Sequence, residues 1–251
     1  MRLNSNVIIM PHEIATIVYT DIVGYSKLTG DNQEVALEIL EEHNKILDQC
    51  TSYCSGEVVK KTGDGICALF QKPTDAIKCA IDIQGEISKR NEIKNQKEQF
   101  KIRVGIHCGE IIEKNKDLFG NVVNVASRIE GICIAGGVAI SDTVHKKIDE
   151  TMNINSIDMG YVKLKNIIEP INVHSLYLSG QKAHTKEEFV NLQIARGFNI
   201  VDMKDYQIKN TYSIGVLHLE NHSDKKHDVY TSNLTEDIIS DFEKINEIRS
   251  A

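Results

Sequence analysis

The chain of 251 residues has no tryptophan, only three prolines, and aromatic residues at 6%. Scarce proline leaves long stretches free to continue as helix or strand. No apolar run approaches the roughly 20 residues that cross a bilayer, so no membrane-spanning helix is expected. The first ten residues carry a single arginine and no small-residue cleavage site behind an apolar core, which argues against a secretory leader. Positive charge is short too: 29 Lys and Arg face 36 Asp and Glu, a net charge of −7. That balance disfavours a dedicated nucleic-acid binder, whose affinity rests on neutralising phosphates. A polyphosphate can still be held by a few placed cations and divalent ions. The six cysteines (Cys50, Cys54, Cys67, Cys79, Cys108, Cys133) lack zinc-ribbon spacing and sit in apolar or helical settings. They read as reduced thiols of a cytoplasmic protein. Also missing are a Gly-Lys-Ser/Thr phosphate loop, a His-Glu-x-x-His helix and a nucleophile elbow.

What is present suits a folded chain. Hydrophobic residues make up 41%, which excludes wholesale disorder, and the length fits one generous domain or one domain plus a fragment. Ile14 to Thr20 is a β-rich run ending at Asp21. A helix is expected from about Asp31, where Asp31 and Glu34 suggest a capping box, to about Cys54, with Gly56 ending it. Glu57 to Thr62 and Ile66 to Phe70 flank Gly63-Asp64-Gly65 as a hairpin. Pro73-Thr74-Asp75 opens a second helix, Asn91 to Gln99 is a polar connection, and Phe100 to His107 is a strand. Ile111 and Ile112 start a short return, and Asn121 starts a helix with Val122, Val125, Ala126 and Ile129 at helical spacing. Val138 to Ile140 is a buried strand, Asp142 the N-cap after it, and Tyr161 to Leu178 a final hairpin broken near Asn166 and Pro170. The order β-α-β-β-α-β predicts an α+β, ferredoxin-like fold, a sheet with helices on one face. Domain bounds are expected at residues 10–180, with a linker at 181–210 in which Phe189, Leu192, Ile194 and Phe198 allow a short helix. Residues 211–251 then start a second, incomplete α/β module, with a strand at Thr211 to Leu219 and a helix at Leu234 to Ile248.

Two features carry chemistry. Asp21 ends an apolar strand and Asp64 tips a hairpin whose strands lie beside it, so the two carboxylates can converge. Such a pair suits Mg²⁺, which takes one or two carboxylates and completes its shell from substrate phosphates. Asp64 alone reads equally as the turn residue of a Gly-Asp-Gly hairpin. Asp21, following Ile17, Val18 and Tyr19, needs a partner or a metal. The second feature is Asn124 and Arg128, four apart on one helix face. They can hold a sugar oxygen and a phosphate, or they form a solvated helix face. Cys50 and Cys54, one turn apart, read as packing residues, and His107 and Cys108 as structural.

Taken together, Tyr19-Thr20-Asp21-Ile22-Val23-Gly24-Tyr25-Ser26, Val59-Lys60-Lys61-Thr62-Gly63-Asp64-Gly65, Gly105-Ile106-His107-Cys108-Gly109-Glu110 and Asp117 through Arg128 resemble the class III nucleotidyl cyclase catalytic domain. Gly160 through Leu164-Lys165-Asn166 to Glu169-Pro170 fits that family's closing hairpin. The resemblance spans about Ile14 to Leu178. It implies that Asp21 and Asp64, with the Ile22 carbonyl, hold two Mg²⁺ or Mn²⁺ ions per active site. It makes Lys60 and Asp117 the pair that reads the purine, Asn124 the ribose contact and Arg128 the group that meets the α-phosphate. Lys165 grips the terminal phosphates, with Lys163 the alternative if the hairpin is shifted, because Asn166 stands where the family often has glycine. The turn from Ile22 to Ser26, with Gly24 and Tyr25, offers backbone N–H groups to phosphates.

The resemblance implies ATP as substrate, since a carboxylate with an ammonium complements adenine's N6 donor and N1 acceptor. It also implies a homodimer with two composite active sites and leaves room for a downstream regulatory domain. Residues 213–221 and 234–239 resemble the start of a TolB amino-terminal-like α/β module. Three other readings stand beside the adenylate cyclase: a guanylate cyclase, a silent nucleotide-binding or dimerisation module, and a polymerase or diguanylate-cyclase type enzyme, in which Asn124 and Arg128 would have no role.

Overall fold

The computed structural model describes residues 13–114, 117–148, 152–178, 183–203 and 206. The strand and helix expected in 211–251, and with them the second module, lie outside the described residues.

Strand β1 (Glu13–Ile22) lies inside the sheet, antiparallel to β3 (Ile66–Phe70) on one side and to β4 (Ile102–Lys114) on the other. It is buried on both faces, which is why Ala15, Ile17, Val18 and Ile22 form a nearly continuous apolar run instead of a clean alternation. The sheet order is β2-β3-β1-β4-β6-β8-β7-β9, with β5 (Asp117–Phe119) paired to β4. Here β2 is Glu57–Lys61, β6 Val138–Ser141, β7 Ile154–Lys163, β8 Ile171–Leu178 and β9 Asn199–Val201. Strands β4 and β6 run parallel, the crossover being helix α4 (Asn121–Ile132). The α+β architecture is as expected.

The helices do not share one face. Val18, Ile22, Val104 and Ile106 pack with Leu47, Ile77 and Ile83 from α2 (Gln33–Tyr53) and α3 (Pro73–Glu92). Ala15 and Ile17 pack instead with Val122 and Ala126 of α4. Alternation along β1 sends successive side chains to opposite layers, so α4 lies across the sheet from α2 and α3.

Several boundaries differ from expectation. The helix expected from Asp31 is α2, which starts two residues later with Asn32 as its N-cap, and an unexpected helix α1 (Tyr25–Asp31), launched by Gly24 at φ 76°, precedes it. The Asn32 side chain accepts the Val35 N–H at 3.2 Å, so Asp31 caps nothing. At the other end Ser55 takes the left-handed turn at φ 58°, while Gly56 is required for space, since a Cβ there would lie 2.3 Å from the Phe70 ring. Ile111 and Ile112 do not start a return. They continue β4, which pairs with β1 from Ile102 to Ile111 and then with β5 from Ile112 to Lys114. Ser141, not Asp142, is the N-cap of α5 (Asp142–His145). The closing hairpin starts seven residues earlier than Tyr161, at Ile154. The segment read as a linker carries α6 (Lys186–Ala195) and β9 in its described part. A Thr185/Glu188 capping box starts α6, Phe189 and Gln193 are buried, and β9 pairs with β7.

Candidate active site

At the end of β1 the β2–β3 hairpin folds over the strand. The Ile22 N–H donates to the Asp64 carbonyl at 3.1 Å, and the Ile66 N–H donates to Thr20 Oγ1 at 3.1 Å. A Cβ on Gly65 would meet the Thr20 carbonyl at 1.8 Å, so only glycine permits this approach. Asp64 is therefore more than a turn residue: its backbone is fastened to the strand that carries Asp21. The Asp64 carboxyl lies close enough to act on that of Asp21. Asp21 is raised above the usual carboxylate range, first by burial and then by the negative charge of Asp64, against the opposing pull of Arg103.

Arg103 stands opposite Asp21 in the β1–β4 register and ion-pairs with its carboxylate. Its Nε also donates to Glu130 Oε1 at 2.8 Å. Glu130, on α4, is pushed up to about 7, mainly by burial and further by the charges of Asp21 and Asp64, with Arg103 opposing. One guanidinium thus bridges two carboxylates, Asp21 and Glu130, with Asp64 beside them. Neither Arg103 nor Glu130 was expected from sequence. The available signal was Glu130 itself, four residues after Ala126 on the apolar side of α4, where a lone carboxylate needs a partner. Gly105 lets α4 come this close, because a Cβ there would lie 2.1 Å from the Glu130 backbone nitrogen.

The other expected residues are placed differently. Asn124 and Arg128 are exposed on α4, one turn apart, while Val125, Ala126 and Ile129 fill the core side. Lys60 is exposed on β2 just after a register shift between Val58 and Lys60, a bulge that re-aims the following side chains. Asp117 opens β5, opposite Lys114 of β4. Lys165 is exposed in the β7–β8 turn, where Asn166 takes φ 63°, the conformation that glycine would adopt freely. Lys163 donates instead to the Ile168 carbonyl of its own turn. Gly24 ends the β1 turn and Tyr25 starts α1, with the tyrosine ring packed against the core. So the fold brings Asp21 and Asp64 together and leaves Lys60, Asn124, Arg128 and Lys165 facing solvent.

The remaining candidates are structural. His107 Nδ1 lies 2.8 Å from Ser141 Oγ, and burial lowers the imidazole to about 4. None of the six cysteines is in a disulfide, and all six are buried. Burial raises Cys50 to about 11, so it is a neutral packing thiol at neutral pH.

The fold is thus a mixed sheet with two converging aspartates at one strand end and an exposed amide and guanidinium on α4. The chain belongs to the adenylate and guanylate cyclase catalytic-domain family, whose model matches residues 7–179; it is a nucleotide cyclase domain. Putative adenylate cyclase 3 of Rhizobium meliloti is 32% identical over 93% of this chain, and the chain spans 38% of that relative's length. The germination-specific adenylate cyclase of Dictyostelium discoideum is 27% identical over 67% of the chain, which spans 21% of it. Among solved structures, an adenylate/guanylate cyclase/hydrolase from Silicibacter pomeroyi matches with TM-score 0.59 and 32% identity, covering 68% of this chain and all of that one. The adenylyl cyclase CyaB of P. aeruginosa, at 19% identity, shares the fold with TM-score 0.59 over 69% of this chain and 98% of its own. No helix among the described residues is long and apolar enough to cross a membrane.

The residues present fit the divalent ions that this family uses. Two carboxylates and the Ile22 carbonyl are hard oxygen donors of the kind Mg²⁺ and Mn²⁺ take. Beyond burial, the negative charge of Asp64 raises Asp21, and a divalent cation would neutralise that charge.

Proposed function

We propose that the chain is an adenylate cyclase, converting ATP to 3′,5′-cyclic AMP and pyrophosphate at two composite sites of a homodimer. The observation that carries this reading is the division of residues in the single chain. Asp21 and Asp64 meet at the end of β1, whereas Asn124 and Arg128 project from α4 into solvent. A second copy related by a two-fold axis would bring one set against the other, twice.

In this reaction the 3′-hydroxyl oxygen bonds to the α-phosphorus, the α–β bridging oxygen leaves with pyrophosphate, and the hydroxyl proton is released. Two divalent ions, when bound, would supply activation of the hydroxyl and neutralisation of the leaving pyrophosphate. Asp21, Asp64 and the Ile22 carbonyl are the residues that would hold them. Arg128 meets charge that develops at the α-phosphate as the new bond forms, which lowers the barrier instead of merely tightening binding. Asn124 orients the ribose, and Lys165 holds the terminal phosphates. Asp117 accepts from the adenine N6 amino group while Lys60 donates to N1. Guanine would set its O6 acceptor and N1–H donor against the wrong partners, a mismatch that costs most where the groups are dry.

The test is product chromatography after incubation with ATP or GTP and Mn²⁺. Cyclic AMP formed in preference to cyclic GMP supports the proposal. A preference for cyclic GMP overturns the base assignment, and ATP bound without turnover overturns catalysis in favour of a silent module.

A further inference from the structure

Away from the carboxylate pair, Asp142, His145 and His174 place three potential ligand atoms within 4.8 Å of one another. Asp142 and His145 come from the single turn of α5, three residues apart and hence on one face. His174 comes from β8, where it pairs with Ile140 of β6. The residue is 6% exposed, and its Nε2 is buried without a hydrogen-bond partner, at ion-pair distance (3.6 Å) from Asp142 Oδ1. A buried ring nitrogen left in this state is costly unless something completes it. The other Asp142 oxygen is held by Lys146 at 2.6 Å, which turns Oδ1 toward the histidines. His145 Nε2 lies 2.8 Å from Ser156 Oγ, an outer hydrogen-bond partner of the kind metal-ligating histidines have on their other ring nitrogen.

We propose that Asp142, His145 and His174 form a second metal site, separate from the catalytic ions and selective for a borderline divalent cation of the zinc class. Two imidazoles and one carboxylate are the donors that Zn²⁺ accepts, whereas Mg²⁺ prefers oxygen alone. Three protein ligands leave a fourth position for water. The separation follows from the fold. Leu176, two residues from His174 on the same side of β8, packs in the α2/α3 layer. Arg103 and Glu130 lie in the α4 layer across the sheet. Ile140 is in register with Ile106, three residues or about 10 Å along β4 from Arg103.

Binding requires one movement. The two imidazoles are stacked, with centroids 3.9 Å apart and planes parallel. A metal lies in the plane of each ring that ligates it, and parallel planes share no such point. His145, part-exposed on a helix of one turn, must tip out of the stack while buried His174 stays in place. The expected consequence is a staple joining α5 to β8, independent of substrate.

The experiment is a Co²⁺ titration of the full chain, followed by visible absorption in excess Mg²⁺ so that the hard oxygen site is filled. The expected result is one tight equivalent with d–d bands of a nitrogen–oxygen site and no thiolate charge-transfer band, displaced by Zn²⁺. His145→Gln and Asp142→Asn each lose a ligand and should weaken binding by at least the roughly 10–100-fold that outer-shell changes cost. Asp64→Asn, at the catalytic pair, should leave it intact. Absence of a tight equivalent overturns the proposal. So does retention of it in His145→Gln and Asp142→Asn, or its loss in Asp64→Asn alone.

Discussion

Glu130 offers the sharpest test of the electrostatics at the strand end. Its carboxyl is raised from an ordinary 4.5 to about 7 by burial and by the nearby charges of Asp21 and Asp64. Between those two values the unfolded chain has lost a proton that the folded chain still holds. Stability therefore falls as pH rises through this window, and the loss is complete above the folded value. At about 1.4 kcal/mol per pH unit, the rise amounts to roughly 3 kcal/mol. The wild-type profile alone would hide it. Burial lowers His107 from 6.5 to about 4, so between those values the unfolded chain binds the extra proton and stability rises with pH. Two opposite slopes overlap and nearly cancel.

Glu130→Gln separates them, because glutamine resembles the protonated acid at every pH. Urea unfolding of both proteins in EDTA should give equal stability near pH 4.5. By pH 8 the variant should be the more stable by up to about 3 kcal/mol. Adding Mg²⁺ should shrink the gap, since a cation on Asp21 and Asp64 removes part of the repulsion that raises Glu130. A gap that stays constant with pH, or that favours wild type as pH rises, refutes the reasoning.

Gly105→Ala should cost at least the 1–3 kcal/mol typical of overpacking, because the new methyl meets α4 backbone, 2.1 Å from the Glu130 nitrogen, and not a movable side chain; an unchanged urea midpoint would show that α4 yields freely. Asp21→Ala and Arg128→Ala should each be inactive, yet an equal mixture should recover about one quarter of wild-type turnover, since half the dimers are mixed and each has one whole site of two. Recovery absent despite demonstrated heterodimers would count against a shared site. Changing Lys60 to Glu together with Asp117 to Cys should lower the ratio of cyclic AMP to cyclic GMP formed by side-by-side assay, and an unaltered ratio removes that pair from base selection.

Elements with strong local signals were legible in the sequence. Ile66–Phe70 is a short apolar run between Gly65 and the polar Gln71-Lys72, Pro73 fixes the first turn of α3, and the Val122/Val125/Ala126/Ile129 period marks α4. What escaped depended on contacts between distant segments. The length of β4 past Gly109 is set by pairing with β1, and the layer of α4 by which residues of β1 it covers. The segment at 186–201 lacked a sustained period, yet Gln193 anchors it by donating from Nε2 to the Ile132 carbonyl at 2.8 Å. At the candidate site, Asp21 and Asp64 could be paired because topology joins their strands. Arg103 and Glu130 could not, because their meeting needs the Gly105 approach between β4 and α4.

That approach links the two halves of the proposed chemistry. Arg128 and Glu130 are two residues apart on α4, and at about 100° per residue they project roughly 200° apart. Glu130 reaches inward to the guanidinium that pairs with Asp21, while Arg128 reaches outward into solvent. A shift of α4 would thus act on both at once: it would alter the charge balance around this chain's carboxylates and move the cation offered to a second copy. Gly105 and the Arg103 bridge fix one helix in the position that both roles require.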